Sequence, residues 1–274
     1  MLMSPIKNPE SGTGRLCAEN LHLMFRKTPI LQGIHLELGA GEFVGLIGPN
    51  GAGKSSLLRA LSGLLPVQSG QVSLQLPQEK AQAIQRVAPQ VRARFLGYLA
   101  QQEKPAWPLT VAHLVGLGRA PWRKPGGVKN RLDQEAVEQA LELTDLHALR
   151  DRPVTELSGG ELQRCLLARV FAGEPQMILA DEPIAALDPY HQLQIMELLR
   201  SHAGNGGTVM AALHDLGLAS RFCQRLILLH EGRIVADGEP IAVLTPQNLQ
   251  TVYGITAYVD CRDDGVVIIP KHRV

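Results

Sequence analysis

The sequence predicts an α/β fold on a mostly parallel sheet, and three observations carry it. From residue 43 onward, short apolar runs alternate with segments of helical spacing. One such run passes through a glycine-rich segment directly into a helix, and another ends in two adjacent carboxylates. Ahead of them, residues 21–25 and 34–38 alternate apolar with polar, which predicts two antiparallel strands turning at Lys27-Thr28-Pro29.

Taken in order, residues 1–15 are polar and rich in Gly, Ser and Pro and read as a tail without the apolar core of a signal peptide. Residues 43–47 form a short apolar strand, 48–53 a glycine-rich turn, and 54 to about 64 a helix on whose face Leu57, Leu58, Leu61 and Leu65 recur. Residues 72–76 and 95–100 read as strands, with a helix of ambiguous periodicity over 78–94 between them. After a loop at 105–108, the stretch 119–131 has five basic residues, no acidic ones, two prolines and two glycines. It reads as an exposed, solvated loop opening a helical region at 133–148. Helices follow at 161–172, 192–202 and 216–222, interleaved with strands at 177–180 and 208–213. Residues 226–230 and 232–236 form a hairpin closed at Glu231-Gly232, and 266–269 is a late strand.

Composition narrows the function classes. Lys plus Arg is 27 against 26 for Asp plus Glu, so no basic field draws the chain to nucleic acid. The four cysteines, at 17, 165, 223 and 261, form no CxxC pair, which argues against a disulfide scaffold or a thiolate zinc site. No apolar run approaches the ~20 residues that span a bilayer, and the expectation is a soluble intracellular protein.

Two motifs carry chemistry. Gly48-Pro49-Asn50-Gly51-Ala52-Gly53-Lys54-Ser55 fits GxxxxGK[ST] and lies between a predicted strand and a helix, the context that the motif needs. Glycines let the backbone turn its N–H groups toward phosphates, and the helix start offers further unpaired donors, with Ser56 in its first turn. Lys54 is placed for the β- and γ-phosphates and the Ser55 hydroxyl for Mg²⁺. The second motif, at 177–182, is an apolar strand ending in Asp181, a Mg²⁺ partner through the ion's hydration shell, and Glu182, which would orient or deprotonate water. Together they predict binding of ATP or GTP.

Between these motifs, Leu157-Ser158-Gly159-Gly160-Glu161 resembles the signature of ABC-transporter ATPases. The resemblance spans about 16–254 and implies a P-loop core with an N-terminal antiparallel β subdomain and a helical subdomain over about 102–172; beyond it, the late strand reads as a short C-terminal β extension at 255–274. It further implies adenine stacking on Phe25, where the family more often has Tyr; a core strand residue is the competing reading. Gln101 matches the glutamine that touches Mg²⁺ or water, with Gln102 one position away as the other candidate. Residues 184–188 match the D-loop, with Ala185 in place of the frequent Ser and with Asp188 kept. His214 matches the switch histidine at the γ-phosphate. Family members sandwich ATP head to tail, so that Ser158, Gly159, Gly160 and Glu161 would serve a second copy's nucleotide. Separate permease subunits and an external binding protein are implied as partners, and the cytoplasmic face of the membrane as the location. Residues 107–111, continuing to Gly118-Arg119, and the tail at 244–249 with Val252-Tyr253-Gly254, are similar to importers of metal chelates: iron–siderophores, haem or cobalamin. An exporter subunit or a non-transport ABC ATPase is the alternative.

Overall fold

A computed structural model describes residues 14–101, 107–123, 131–185, 187–262 and 265–274. The chain opens with β1 (Arg15–Phe25) and β2 (Thr28–Leu38), continues through β3 (Phe43–Ile47), α1 (Lys54–Leu61), β4 (Ser69–Gln75) and the two-residue β5 (Gln82–Ala83), and reaches α2 (Pro89–Phe95) and β6 (Leu96–Leu99). Helices α3 (Val111–Gly116), α4 (Arg131–Leu143) and α5 (Gly159–Ala172) follow without an intervening named strand. The second half of the core is β7 (Met177–Asp181), α6 (Pro189–Gly204), β8 (Thr208–Ala212), α7 (Leu216–Phe222), β9 (Arg225–His230) and β10 (Arg233–Gly238). Short helices α8 (Pro240–Val243) and α9 (Pro246–Tyr253) lead to the hairpin β11 (Ile255–Arg262) and β12 (Gly265–Arg273).

The central sheet has the order β10-β9-β3-β8-β7-β6, parallel throughout except for the edge strand β10. Its strands are buried on both faces, which is why β3, β7 and β8 read as continuous apolar runs rather than alternating ones. Phe43, Ile47, Ile178 and Ala180 face the helices, whereas Val44, Leu46, Met177 and Leu179 face a second core shared with the antiparallel sheet β2-β1-β4-β5.

The α/β architecture with its antiparallel N-terminal sheet agrees with the sequence reading; several boundaries move. The β1–β2 turn falls at Arg26-Lys27, because Thr28 and Pro29 already pair with Phe25 and Met24. The helix expected over 78–94 is instead β5, a 3₁₀ turn and α2, which begins at Pro89, a residue suited to a first helical turn. The basic stretch at 119–131 is not wholly a solvated loop. Arg119 is buried in a 3₁₀ turn, where its Nε donates to Asp133 Oδ1 at 3.0 Å and its Nη1 donates to Glu174 Oε2 at 2.6 Å and to the Ala172 carbonyl at 3.0 Å. Arg123 completes the cluster on Asp133 Oδ2 at 3.2 Å, and Arg94 and Arg119 both lie over the Trp122 ring. Residues 124–130 of that stretch, Gln102, and residues 1–13 of the tail lie outside the described residues.

Burial opposes the charge of Asp133, yet hydrogen bonds from Arg119 and Arg123 outweigh it and hold the carboxyl below the usual carboxylate range. Its contribution to stability is therefore present above the unfolded pKa of about 3.9 and lost as pH falls through the lower folded value. Arg119→Ala, which leaves the buried Asp133 carboxylate with Arg123 as its remaining arginine partner, should cost up to about 3–5 kcal/mol in urea unfolding at neutral pH, a deficit that shrinks in acid as Asp133 protonates.

Candidate nucleotide site

Parallel pairing brings four strand ends to one edge of the sheet: Gly48 follows β3, Gln101 lies beyond β6, Glu182 follows β7, and His214 lies just beyond β8. A cavity of about 570 Å³ opens there, lined by Ile30, Asn50, Gly51, Gly53, Lys54, Ser55, Ser56, Gln101, Glu182 and His214.

The glycine-rich turn is shaped by backbone contacts. A Cβ on Gly48, whose φ is +145°, would stand 2.1 Å from the Leu229 carbonyl oxygen, so the turn lies hard against β9. Ala52 is buried beneath the turn; its N–H donates to the Pro49 carbonyl and its carbonyl accepts from Gly232. Gly53 adopts a left-handed conformation at the start of α1 and supplies no side-chain cap, leaving the first N–H groups of that helix open toward the cavity.

Lys54 is buried, and its ammonium donates to the Gly48 carbonyl at 2.7 Å and the Pro49 carbonyl at 3.0 Å. Burial lowers its pKa, and the nearby Glu182 and Asp181 carboxylates counter that. Asp181 is buried as well; burial raises its pKa against the Ser55 hydroxyl, which donates to Oδ1 at 3.0 Å. A buried ammonium held by carbonyls beside open helix N–H groups is suited to a triphosphate. A hydroxyl and a destabilised carboxylate in contact are the oxygen donors that Mg²⁺ prefers. The residues present fit both groups.

Glu182 has a left-handed backbone, φ +53°, unusual outside glycine. The Gln163 side chain steadies this turn by donating to the Pro183 carbonyl at 3.2 Å and, more weakly, to that of Glu182 at 3.4 Å. The Glu182 carboxylate meets His214 Nε2 at 2.6 Å, so the two residues expected at the reacting end are engaged with each other.

The remaining expected residues lie elsewhere. Ser158 caps α5 in a reciprocal box: its Oγ accepts from the Glu161 N–H while the Glu161 carboxylate accepts from the Ser158 N–H at 2.7 Å. That backbone hydrogen bond holds Glu161 below its usual pKa. Ser158 and Gly159 are exposed, Gly160 is half-buried, and none of the signature residues lines the cavity. Asp188 caps α6, accepting from the His191 N–H at 3.0 Å and lying 2.7 Å from His191 Nδ1, and is exposed. Phe25, 67% exposed at the end of β1 with Arg26 over its ring, is outside the cavity lining, where Ile30 of β2 stands instead. Ala186 is not among the described residues.

The ABC transporter family model matches residues 31–185, a stretch holding the glycine-rich turn, the signature and the paired carboxylates. The chain belongs to the ABC transporter family. As an ABC ATP-binding subunit it binds and hydrolyses ATP, coupled to transport. It is 42% identical over 254 residues to the hemin import ATP-binding protein of Pseudomonas putida, covering 91% of this chain and 96% of that one. It is 38% identical over 253 residues to the ferric enterobactin transport ATP-binding protein of Escherichia coli, covering 89% of each. Among solved structures, a metal-chelate-type ABC transporter in an inward-facing conformation superimposes with a TM-score of 0.79 at 25% identity, covering 94% of this chain and 98% of the other.

Sequence reasoning missed three residues at this ABC site. Ile30 was hidden in an alternating strand, and Gln163 was visible only as a polar residue inside an apolar helix. Tyr253, half-buried at the end of α9, has its hydroxyl beside the Gly48 N–H, a proximity with no local signal. Gly48→Ala should force the turn off Leu229, costing about 1–3 kcal/mol as overpacking does. Denaturant melts and titration with a fluorescent ATP analogue should both register the loss.

Proposed function

We propose that this chain is the ATP-hydrolysing subunit of an importer for a metal chelate, working beneath a separate membrane permease on its cytoplasmic face. The observation that carries the reading is the division of the site: Lys54, Ser55, Glu182 and His214 share one cavity, while Ser158 and Gly159 stand exposed outside it. One copy therefore presents two half-sites. A second copy set head to tail would bring its Ser158 hydroxyl and the N–H groups of α5 to the terminal phosphate above Lys54. Phosphoryl transfer depends mostly on positioning and charge stabilisation, so supplying these donors in trans would make hydrolysis conditional on pairing.

Within each half-site, Asn50, Gly51, Gly53 and Ser56 cradle the phosphates, Gly48, Pro49 and Ala52 shape the turn beneath them, and Lys54 turns its ammonium from two carbonyls to the β- and γ-oxygens. Ser55 and Gln101, with Asp181 through the ion's hydration shell, would hold Mg²⁺, which would neutralise charge building on the phosphate oxygens. Glu182 orients the attacking water and accepts its proton, while His214 holds the Glu182 carboxylate in place and reaches the γ-phosphate when the pair opens. Phe25 offers its ring to adenine, and Asp188 fixes the D-loop facing the partner copy. The described chain divides into a cassette that begins with β1 at Arg15 and runs to 254, with a helical subdomain at about 102–172, and an extension at 255–274.

The cargo proposed first is haem, supported by the 42% identity to a hemin import subunit; the likeness to a ferric enterobactin subunit favours an iron–siderophore as the second reading. Cargo selection lies with the permease and an external binding protein, the partners expected to copurify or reconstitute with this chain. Proteoliposomes holding the permease and this subunit should take up haem from its binding protein only with ATP. Uptake of a ferric siderophore alone would move the assignment to the second cargo, and efflux would overturn import.

Lys54→Ala should abolish ATP binding in equilibrium titration. Glu182→Gln should retain binding, lower turnover by about 10²–10⁴-fold, as loss of a general base does, and accumulate an ATP-bound dimer seen by light scattering. Unchanged turnover would remove Glu182 from the reaction.

A further inference from the structure

The segment that follows the core sheet is attached to the nucleotide site at two points. The first is α9: Tyr253 packs against the helix-side core, with its hydroxyl beside the Gly48 N–H at the entry of the glycine-rich turn. The second is β12, which packs along α7, the helix that begins two residues after His214. There the Ser220 hydroxyl accepts from the Val266 N–H at 3.1 Å and shares its own hydrogen between the Gly217 carbonyl at 2.9 Å and the Val266 carbonyl at 3.2 Å. Ser220 and Val266 are both buried. Gly265, at φ +135°, approaches closely enough that a Cβ would stand 3.1 Å from Ser220 Oγ and 3.2 Å from Arg221 Cα.

The unit between these attachments is closed on itself. Strands β11 and β12 pair from Ile255 with Arg273 to Arg262 with Gly265, and the Val274 N–H returns to the Gly254 carbonyl that ends α9. Val259, Val266 and Ile268 anchor the hairpin to the same core as Phe222 and Leu226. Helix α7 is short, and its N-terminus is capped by Asp215, the residue next to His214. A short helix carries little stability of its own, so its place depends on the surfaces packed against it. The loop holding His214 against Glu182 is therefore fixed from behind by β12.

We propose that α9, β11 and β12 form a positioning brace for the nucleotide site, with Tyr253 setting the glycine-rich turn and Ser220, through Val266, setting α7 and with it His214. The proposal rests on the catalytic reading of Glu182 and His214 above. It assigns neither Tyr253 nor Ser220 a contact with ATP; each acts through the loop it holds.

The two attachments should separate kinetically in the full chain assayed with ATP and Mg²⁺. Ser220→Ala should lower kcat about three- to tenfold, the effect of one buried hydrogen bond, with KM for ATP unchanged, and Ser220→Thr, which keeps a hydroxyl, should restore it. In a His214→Ala background the Ser220→Ala effect should vanish, because a residue acting only through His214 has nothing left to position. Tyr253→Phe, which keeps the ring, should raise the Kd for ATP by about three- to tenfold with kcat near the parent value. Tyr258→Phe, on the exposed part of the same hairpin, should change neither constant. If Ser220→Ala and Tyr253→Phe lower the melting temperature while kcat, KM and Kd stay put, or if the Ser220→Ala effect persists undiminished without His214, the brace is refuted. Full hydrolysis by Glu182→Gln and His214→Ala would instead refute the catalytic reading.

Discussion

Parallel pairing at one edge of the sheet is the constraint on which the site depends. Asp181 is opposite Ala212 in the β7–β8 ladder, Leu46 is opposite Ala212 on the other side, and Leu99 is opposite Ala180. That register alone sets Gly48, Gln101, Glu182 and His214 within one rim, although they are scattered along the sequence. A slip of one residue in any ladder would turn every side chain on that strand to the opposite face and part the carboxylates from Lys54. The apolar content of these strands thus serves the chemistry, because burial on both faces is what makes the register costly to change.

Having fixed the rim, the fold leaves it electrostatically incomplete. Lys54 and Asp181 are buried, and each is pushed by burial toward its neutral form. Carbonyls and a hydroxyl only partly offset the lost hydration, whereas a triphosphate with its cation offers full charge to both. The turn at Glu182 adds backbone strain, a departure that costs on the order of 1–3 kcal/mol and persists where surroundings enforce it. Gln163, reaching from the signature helix to the Pro183 and Glu182 carbonyls, is one such enforcer.

Much of this was legible in the sequence because its signals are local. Glycines before Lys54, the apolar run ending at Asp181, and Ser158 three residues before Glu161 each report a strand end or a helix start from their own neighbours. Legibility failed where a residue's fate depends on distant parts of the chain. Arg119 sits in a basic, proline-containing stretch and is buried all the same, because Asp133 and Glu174 arrive from 14 and 55 residues away. Residues 78–94 carry weak periodicity, and the β4–β5 pairing that breaks the segment is a tertiary choice. Ile30 and Tyr253 meet the site, and Val266 meets α7 behind it, only once the sheet is formed.

The same Arg119 cluster also ties together the two parts of the chain that carry Ser158 and Glu182. Helix α5 carries Ser158 at its start, and with 14 residues at 1.5 Å each it is about 21 Å long. Its far end is gripped: Arg119 binds the Ala172 carbonyl and Glu174, and the Trp122 indole N–H donates to the Gly173 carbonyl at 2.9 Å. From there a few residues lead into β7, which ends at Asp181 and delivers Glu182. Helix and strand are thus joined rigidly at one end, while Gln163 ties the early part of α5 to the Glu182 turn at the other. The start of α5 and the Glu182 turn are therefore connected twice, once through the helix–strand backbone and once through the Gln163 side chain. In the paired arrangement proposed above, Ser158 and the chain's own Glu182 would thus belong to one doubly connected unit, held by backbone and by buried polar contacts.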